Sequence, residues 1–260
     1  MGLLDTAPVL PREAVQRWRL VLARGALAPD AVGRELQAAW HGALASSGLP
    51  VAGLDAPMPR ARFALGAPLA AAVPGEAELL DTWLVERLPA WRVREALARC
   101  LPAGWRLVEV YDVWLGEAPL PGRVAASVYR ATFPAASGIA ARDVSSAAER
   151  ALAAPTLPRE RHKGETIVSY DLRPFLDAID VDEPAEGGVV TRMTLRHDPE
   201  RGVGRPDETL AALAEISGVP LVPATLVRER LVLADPPAPP APSGRRRPAS
   251  QTGRDRPPVR

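Results

Sequence analysis

An α+β fold made of two tandem ferredoxin-like modules is the architecture this sequence predicts. Three observations predict it. The order strand, helix, strand, strand, helix, strand reads twice along the 260 residues, and this is the order of the split βαβ unit, in which both helices cross one antiparallel sheet. A Pro/Gly-rich stretch, Gly116–Gly122, separates the two runs. Beyond Asp235 the chain turns to Pro, Ala, Ser, Gly and Arg, a composition that cannot bury apolar surface. The expected organisation is an arm over 1–16, a first module over 17–115 and a linker over 116–122. A second module over 123–235 and a disordered basic tail over 236–260 complete it. Each module is expected to carry its own sheet.

The elements follow in order. Trp18, Leu20 and Leu22 alternate within Arg17–Ala23 and predict a strand. Pro29 and Asp30 open a helix whose Val32, Leu36, Ala39 and Ala43 recur at helical spacing, and Gly48 closes it. Arg60–Leu65 and Ala77–Glu86 read as strands two and three. Pro89 starts a helix that brings Val93, Leu97 and Leu101 inward and stops before Gly104. Trp105–Val113 alternates apolar and polar residues as a fourth strand. In the second half, strands are expected over 127–133, 165–171, 189–196 and 225–233. Helices are expected over 143–154 and from Pro206 to Gly218, with a short one over 174–179. Asp207 and Glu208 in the first turn suit the positive end of the later helix.

Composition excludes more than it identifies. Lys163 is the single lysine, so 31 of the 32 basic residues are arginine. The tail holds six arginines against Asp255 and carries +5 of a total of +1, which leaves the preceding chain at −4. Attraction to nucleic acid would therefore come from local arginine patches or the tail, not from the net field of the body. Cys100 is the lone cysteine, which excludes an internal disulfide and a cysteine-held iron–sulfur cluster. No basic leader or long apolar run is seen, so a cytoplasmic protein without a membrane segment is expected.

Catalytic signatures are absent. Arg201-Gly202-Val203-Gly204-Arg205 lacks the spacing of a dinucleotide loop, and His41, His162 and His197 lie too far apart in sequence for ligand spacing. No catalytic residue, metal site or cofactor is expected. Asp81, Glu86, Asp180, Asp182 and Glu183 read as surface charge. Two segments stand out as binding candidates. In Pro57–Phe63, Arg60 and Arg62 stand two apart on a predicted strand and would point the same way, toward phosphates or acids, while Phe63 points inward. Tyr170-Asp171-Leu172-Arg173-Pro174 ends a strand on an acid–arginine pair. Arg205, before the helix at Pro206, is a further binding candidate, and Arg245, Arg246 and Arg247 are binding candidates in the tail.

These segments and others resemble, in order, the radical SAM-linked family, an accessory domain of unknown function found beside or fused to radical SAM proteins. The matching stretches are Trp18–Ala23, Ser47–Val51, Pro59–Phe63, Glu76–Asp81, Leu101–Trp105, Tyr170–Pro174 and Gly204–Pro206. The chain departs from the family at Leu27–Ala31 and Leu54–Met58, where polar and aromatic residues are usual. The resemblance implies a non-catalytic accessory role with a radical SAM protein as partner. RNA is the cargo suggested by analogy with other tandem ferredoxin-like proteins. An enzyme with a site between the modules and a protein-binding scaffold remain open alternatives.

Overall fold

The computed structural model describes residues 12–164, 166–185 and 187–235, with nothing taken from the side chains of His162 and Lys163. The tail run Arg245–Arg247 lies outside these residues. The described residues form a mixed α+β fold, with four α-helices and a large mixed sheet among them.

Strand β1 (Gln16–Arg24) sets the pattern for the first half. Trp18, Leu20 and Leu22 point to one face and pack with Trp40 and Leu44 of α1 (Gly33–Ser46) and Val93 and Leu97 of α2 (Ala90–Ala98). Trp40 meets Trp105 edge to face at 5.4 Å between ring centroids, a favoured aromatic geometry. Around β1 lie β3 (Gly75–Leu84) and β4 (Trp105–Val113), both antiparallel to it, and the short β2 (Phe63–Leu65) pairs the far side of β3.

In the second half, β5 (Val124–Phe133) is flanked by β9 (Val189–Asp198) and β11 (Thr225–Leu233), and β8 (Leu176–Asp182) lies outside β9. Helices α3 (Ala141–Ala153) and α4 (Pro206–Ser217) cover a core of Phe133, Val144, Met193, Leu195 and Leu213. Strands β6 (Pro158–Lys163) and β7 (Thr166–Asp171) form a separate two-stranded sheet, and the short β10 (Gly202–Val203) pairs with β9.

Three expectations are corrected. The halves do not carry separate sheets: β11 meets β3 in parallel at Arg228 and Gly75, giving one nine-stranded sheet. This contact is carried by side chains more than by backbone. Buried Arg228 donates from Nε to Glu78 at 2.8 Å, and from its terminal nitrogens to the Pro68 and Ala67 carbonyls at 2.8 and 3.1 Å. A second bond joins Arg228 to the other Glu78 oxygen, and the Arg228 amide donates to Pro74 O. Second, the stretch expected as a helix over 174–179 is strand β8 after a 3-10 turn at Arg173–Phe175. Leu176 and Ile179 turn inward, while Asp177 and Asp182 meet Arg196 and Arg192 of β9. The 165–171 strand does not join the main sheet but pairs with the unpredicted β6.

His197 lies close to this junction. Its Nε2 is 2.8 Å from Ser127 Oγ, and burial, followed by the charge of Arg228, pushes its pKa down to about 4. The unfolded chain takes up a proton near pH 6.5 that the folded protein refuses until about 4. Stability from this residue is therefore full above 6.5 and lost as pH falls toward 4. Thermal melts should be level from pH 8 to 7 and decline from 6.5 to 5, and His197→Asn should flatten that decline.

Candidate RNA-binding clefts

The Pro59–Phe63 segment is fixed on both sides before it becomes β2. Arg60 N donates to Gly53 O and Arg62 N to Ala52 O, each at 2.9 Å. The donors are two residues apart but the acceptors only one, which is not a regular ladder. Gly53 has φ +86, and a Cβ there would collide with the Arg60 carbonyl, so a glycine is needed for the loop to close on Arg60.

This irregular crossing separates the two arginines. Arg60 lines a pocket of about 710 Å³ against one face of α1, with Arg34, Gln37 and His41 at helical spacing. Met58, Pro59 and half-buried Phe63 supply its apolar wall. His41 Nδ1 accepts the Ala61 amide at 3.2 Å, which leaves Nε2 as the donor of the neutral ring. Arg62 instead lies over Trp83, with its guanidinium carbon 4.6 Å from the ring centroid. It lines a second cleft of about 500 Å³ with Arg12, Glu13 and Leu115. Arg60 and Arg62 thus do not point together, and Phe63 shares the pocket of Arg60.

Behind Trp83 sits a buried charge cluster. Arg17 stacks at 4.9 Å from the same ring and donates to Asp81 from Nε at 3.0 Å and from Nη2 at 2.5 Å. Arg19 donates to both Asp81 oxygens at 2.7 and 3.0 Å and to Glu117 at 3.1 Å. Asp81, expected at the surface, is fully buried. Burial works against the Glu117 charge, but hydrogen bonds from Arg123 and Arg19 hold its pKa below the ordinary carboxylate value. Residues 116–122 are accordingly tied in: Leu120 is buried, and the Glu117 and Ala118 carbonyls accept from Arg17 at 2.6 and 3.1 Å. At the cleft rim, Arg12 donates to Asp55 from its backbone at 3.0 Å and to Glu86 at 3.0 Å.

The other sequence candidates stand elsewhere. Asp171 accepts the Leu157 and Arg173 amides at 2.7 and 3.0 Å, and Arg173 donates to the Leu152 and Leu176 carbonyls, both at 2.9 Å. Both side chains are used to hold the chain at the end of β7 and do not pair with each other. Arg205 is exposed at the start of α4, and its carbonyl accepts the Thr209 amide. Arg12, Arg34, Gln37 and Trp83 were not singled out from sequence. The i, i+3, i+7 spacing of Arg34, Gln37 and His41 was the available signal. Among the described residues, no helix is long and apolar enough to cross a membrane. Among the described residues, no group of His, Cys, Asp and Glu could hold a metal ion.

The family profile of uncharacterized proteins conserved in bacteria, DUF2344, matches residues 34–206. The chain belongs to this family. The match takes in Arg34, Arg60, Arg62, Trp83, Asp171, Arg173 and Arg205, and leaves out β1 and β11. No curated protein matches the sequence. Among solved structures, a Cbf5–Nop10–Gar1 complex aligns at 11% identity and a TM-score of 0.40, over 82% of this chain and 49% of that one. The archaeal box H/ACA sRNP Nop10–Cbf5 complex aligns at 12% identity and a TM-score of 0.35, over 82% and 46%. The chain spans about half the length of each.

Proposed function

We propose that this chain is a non-catalytic accessory protein that binds single-stranded RNA beside a radical SAM partner. Its halves are read as two ferredoxin-like units, supported by the strand orders β4-β1-β3-β2 and β11-β5-β9-β8. The observation that carries the RNA reading is the α1 pocket. Its arginines, Arg34 and Arg60, suit backbone phosphates; Phe63 and Met58 offer apolar surface to a base; Gln37 and the Nε2 of His41 face a base edge. Arg62 on Trp83 continues the basic surface across Ala61 into the second cleft. The partnership rests on the ordered stretches that resemble the radical SAM-linked family. Exposed Trp114 and Leu115 beyond the edge strand β4 supply apolar surface for a protein partner.

Filter binding of unstructured RNA across a salt series tests the reading. Replacing Arg34 and Arg60 together with alanine should weaken binding evenly across sequences. The slope of log K against log salt should become shallower by about 1.4, roughly 0.7 for each lost single-strand phosphate contact. Gln37→Ala should instead alter base preference and leave the slope unchanged. RNA binding by the wild type that is lost only on deleting residues 236–260 would remove the body from this role.

A further inference from the structure

The β6–β7 hairpin is hydrogen-bonded as its own two-stranded sheet. Its register sets Arg159 opposite Tyr170 and Arg161 opposite Val168, so Arg159, Arg161 and Tyr170 share one face. That face turns to α4. Arg159 Nη1 donates to both oxygens of Glu215, at 2.6 and 2.7 Å. Arg161 lies 5.5 Å from the centroid of the Tyr170 ring. Burial raises the Tyr170 pKa first, then Glu208; Arg161 and Arg205 oppose the rise, and Asp207 adds to it. Ile167, on the other face, is exposed.

Eight buried side-chain nitrogen and oxygen atoms among the described residues find no hydrogen-bond partner, and four of them lie on this one face. They are Arg159 Nε and Nη2, Arg161 Nε and the Tyr170 hydroxyl. All four can donate, and only the hydroxyl can also accept. Buried donors without partners are costly and rare, so a cluster of them implies an acceptor-rich group that belongs between them. Asp207 and Glu208 stand at the α4 end of this layer and do not satisfy the four atoms. A phosphate suits the layer best, because its several oxygens and double charge match guanidinium forks.

We infer that the β6–β7 hairpin is a flap that closes a phosphate group against α4, held by Arg159, Arg161 and Tyr170. The four donors are shielded from solvent when the flap lies down, so the phosphate enters with the flap raised. An isolated two-stranded hairpin is marginal in stability and suits such a motion. Its hinge is the base, where Leu172 N donates to Leu157 O at 2.9 Å and Asp171 holds the Leu157 and Arg173 amides. These residues are separate from the α1 pocket, so the inference stands independently of RNA binding there.

Hydrogen–deuterium exchange of the full chain, read over peptides covering 158–171, tests the flap. Pyrophosphate should slow exchange there several-fold relative to sodium chloride of equal ionic strength. Arg161→Gln and Tyr170→Phe should each abolish most of that protection, while Ile167→Ser on the outer face should retain it. A second arm uses an oligoribonucleotide. Protection by pyrophosphate assigns the site to a small phosphate-bearing molecule, and protection by the oligonucleotide alone assigns it to a nucleic-acid backbone. No protection by either, or equal protection in Arg161→Gln, overturns the inference.

Discussion

Replacing Asp81 with alanine is expected to cost about 3–5 kcal/mol of folding stability, the usual result of removing one partner from a buried ion pair. The reason is the position of its carboxylate. It is fully buried and accepts from Arg17 and Arg19, whose side chains are only 1% and 4% exposed. Arg17 would keep the Glu117 and Ala118 carbonyls, and Arg19 would keep Glu117, but neither compensates for a lost buried countercharge. For a domain of this size the melting temperature should fall by about 10 °C. Asp81→Asn should lose a similar amount, because it preserves shape but not charge. Chemical denaturation with an unchanged slope would assign the loss to stability itself. A loss below about 1 kcal/mol would mean that solvent reaches these arginines.

Arg228→Met is expected to have the second large effect, and of a different kind. Its side chain joins the halves through Glu78, Pro68 and Ala67, beside a single parallel bridge to β3. Methionine fills part of the volume but leaves Glu78 buried without its cation, again about 3–5 kcal/mol. Because this is the seam between the halves, unfolding should broaden or separate into two transitions. Arg228→Met combined with Glu78→Gln should recover part of the loss, since the stranded charge is removed. Calorimetry distinguishes the outcomes: one sharp transition in Arg228→Met would show that backbone and apolar contacts alone couple the halves.

The legible parts of this fold are those with an unbroken local period. Trp105–Val113 and Thr225–Leu233 have the bounds that their alternation predicts, and α4 ends at Gly218 as its cap requires. Strand β8 was hidden because Pro174 suggests a helix start and its aspartates suggest a loop. Two of them, Asp177 and Asp182, are neutralised by Arg196 and Arg192 of β9, a pairing that only the tertiary structure supplies. The single sheet was hidden for a related reason, since Arg228 and Glu78 are 150 residues apart and look like ordinary strand charges. At the candidate site, Arg60 and Arg62 were legible as candidates, but the separate directions of their side chains were not. A two-residue period fixes direction only within a regular ladder, and the crossing over Gly53 breaks it. The α1 face and Trp83 entered the site from neighbouring elements that pattern within one segment does not connect.

Under the proposed function, RNA contacts the clefts on either side of Ala61. Photocrosslinking of a 4-thiouridine oligoribonucleotide to the full chain, followed by peptide mass spectrometry, tests it most directly. The expected crosslinks fall on peptides bearing Met58, Phe63 or Trp83, and they should fade in the Arg34→Ala, Arg60→Ala double variant. Crosslinks confined to residues 245–260, or none on these peptides at saturating RNA, would contradict it.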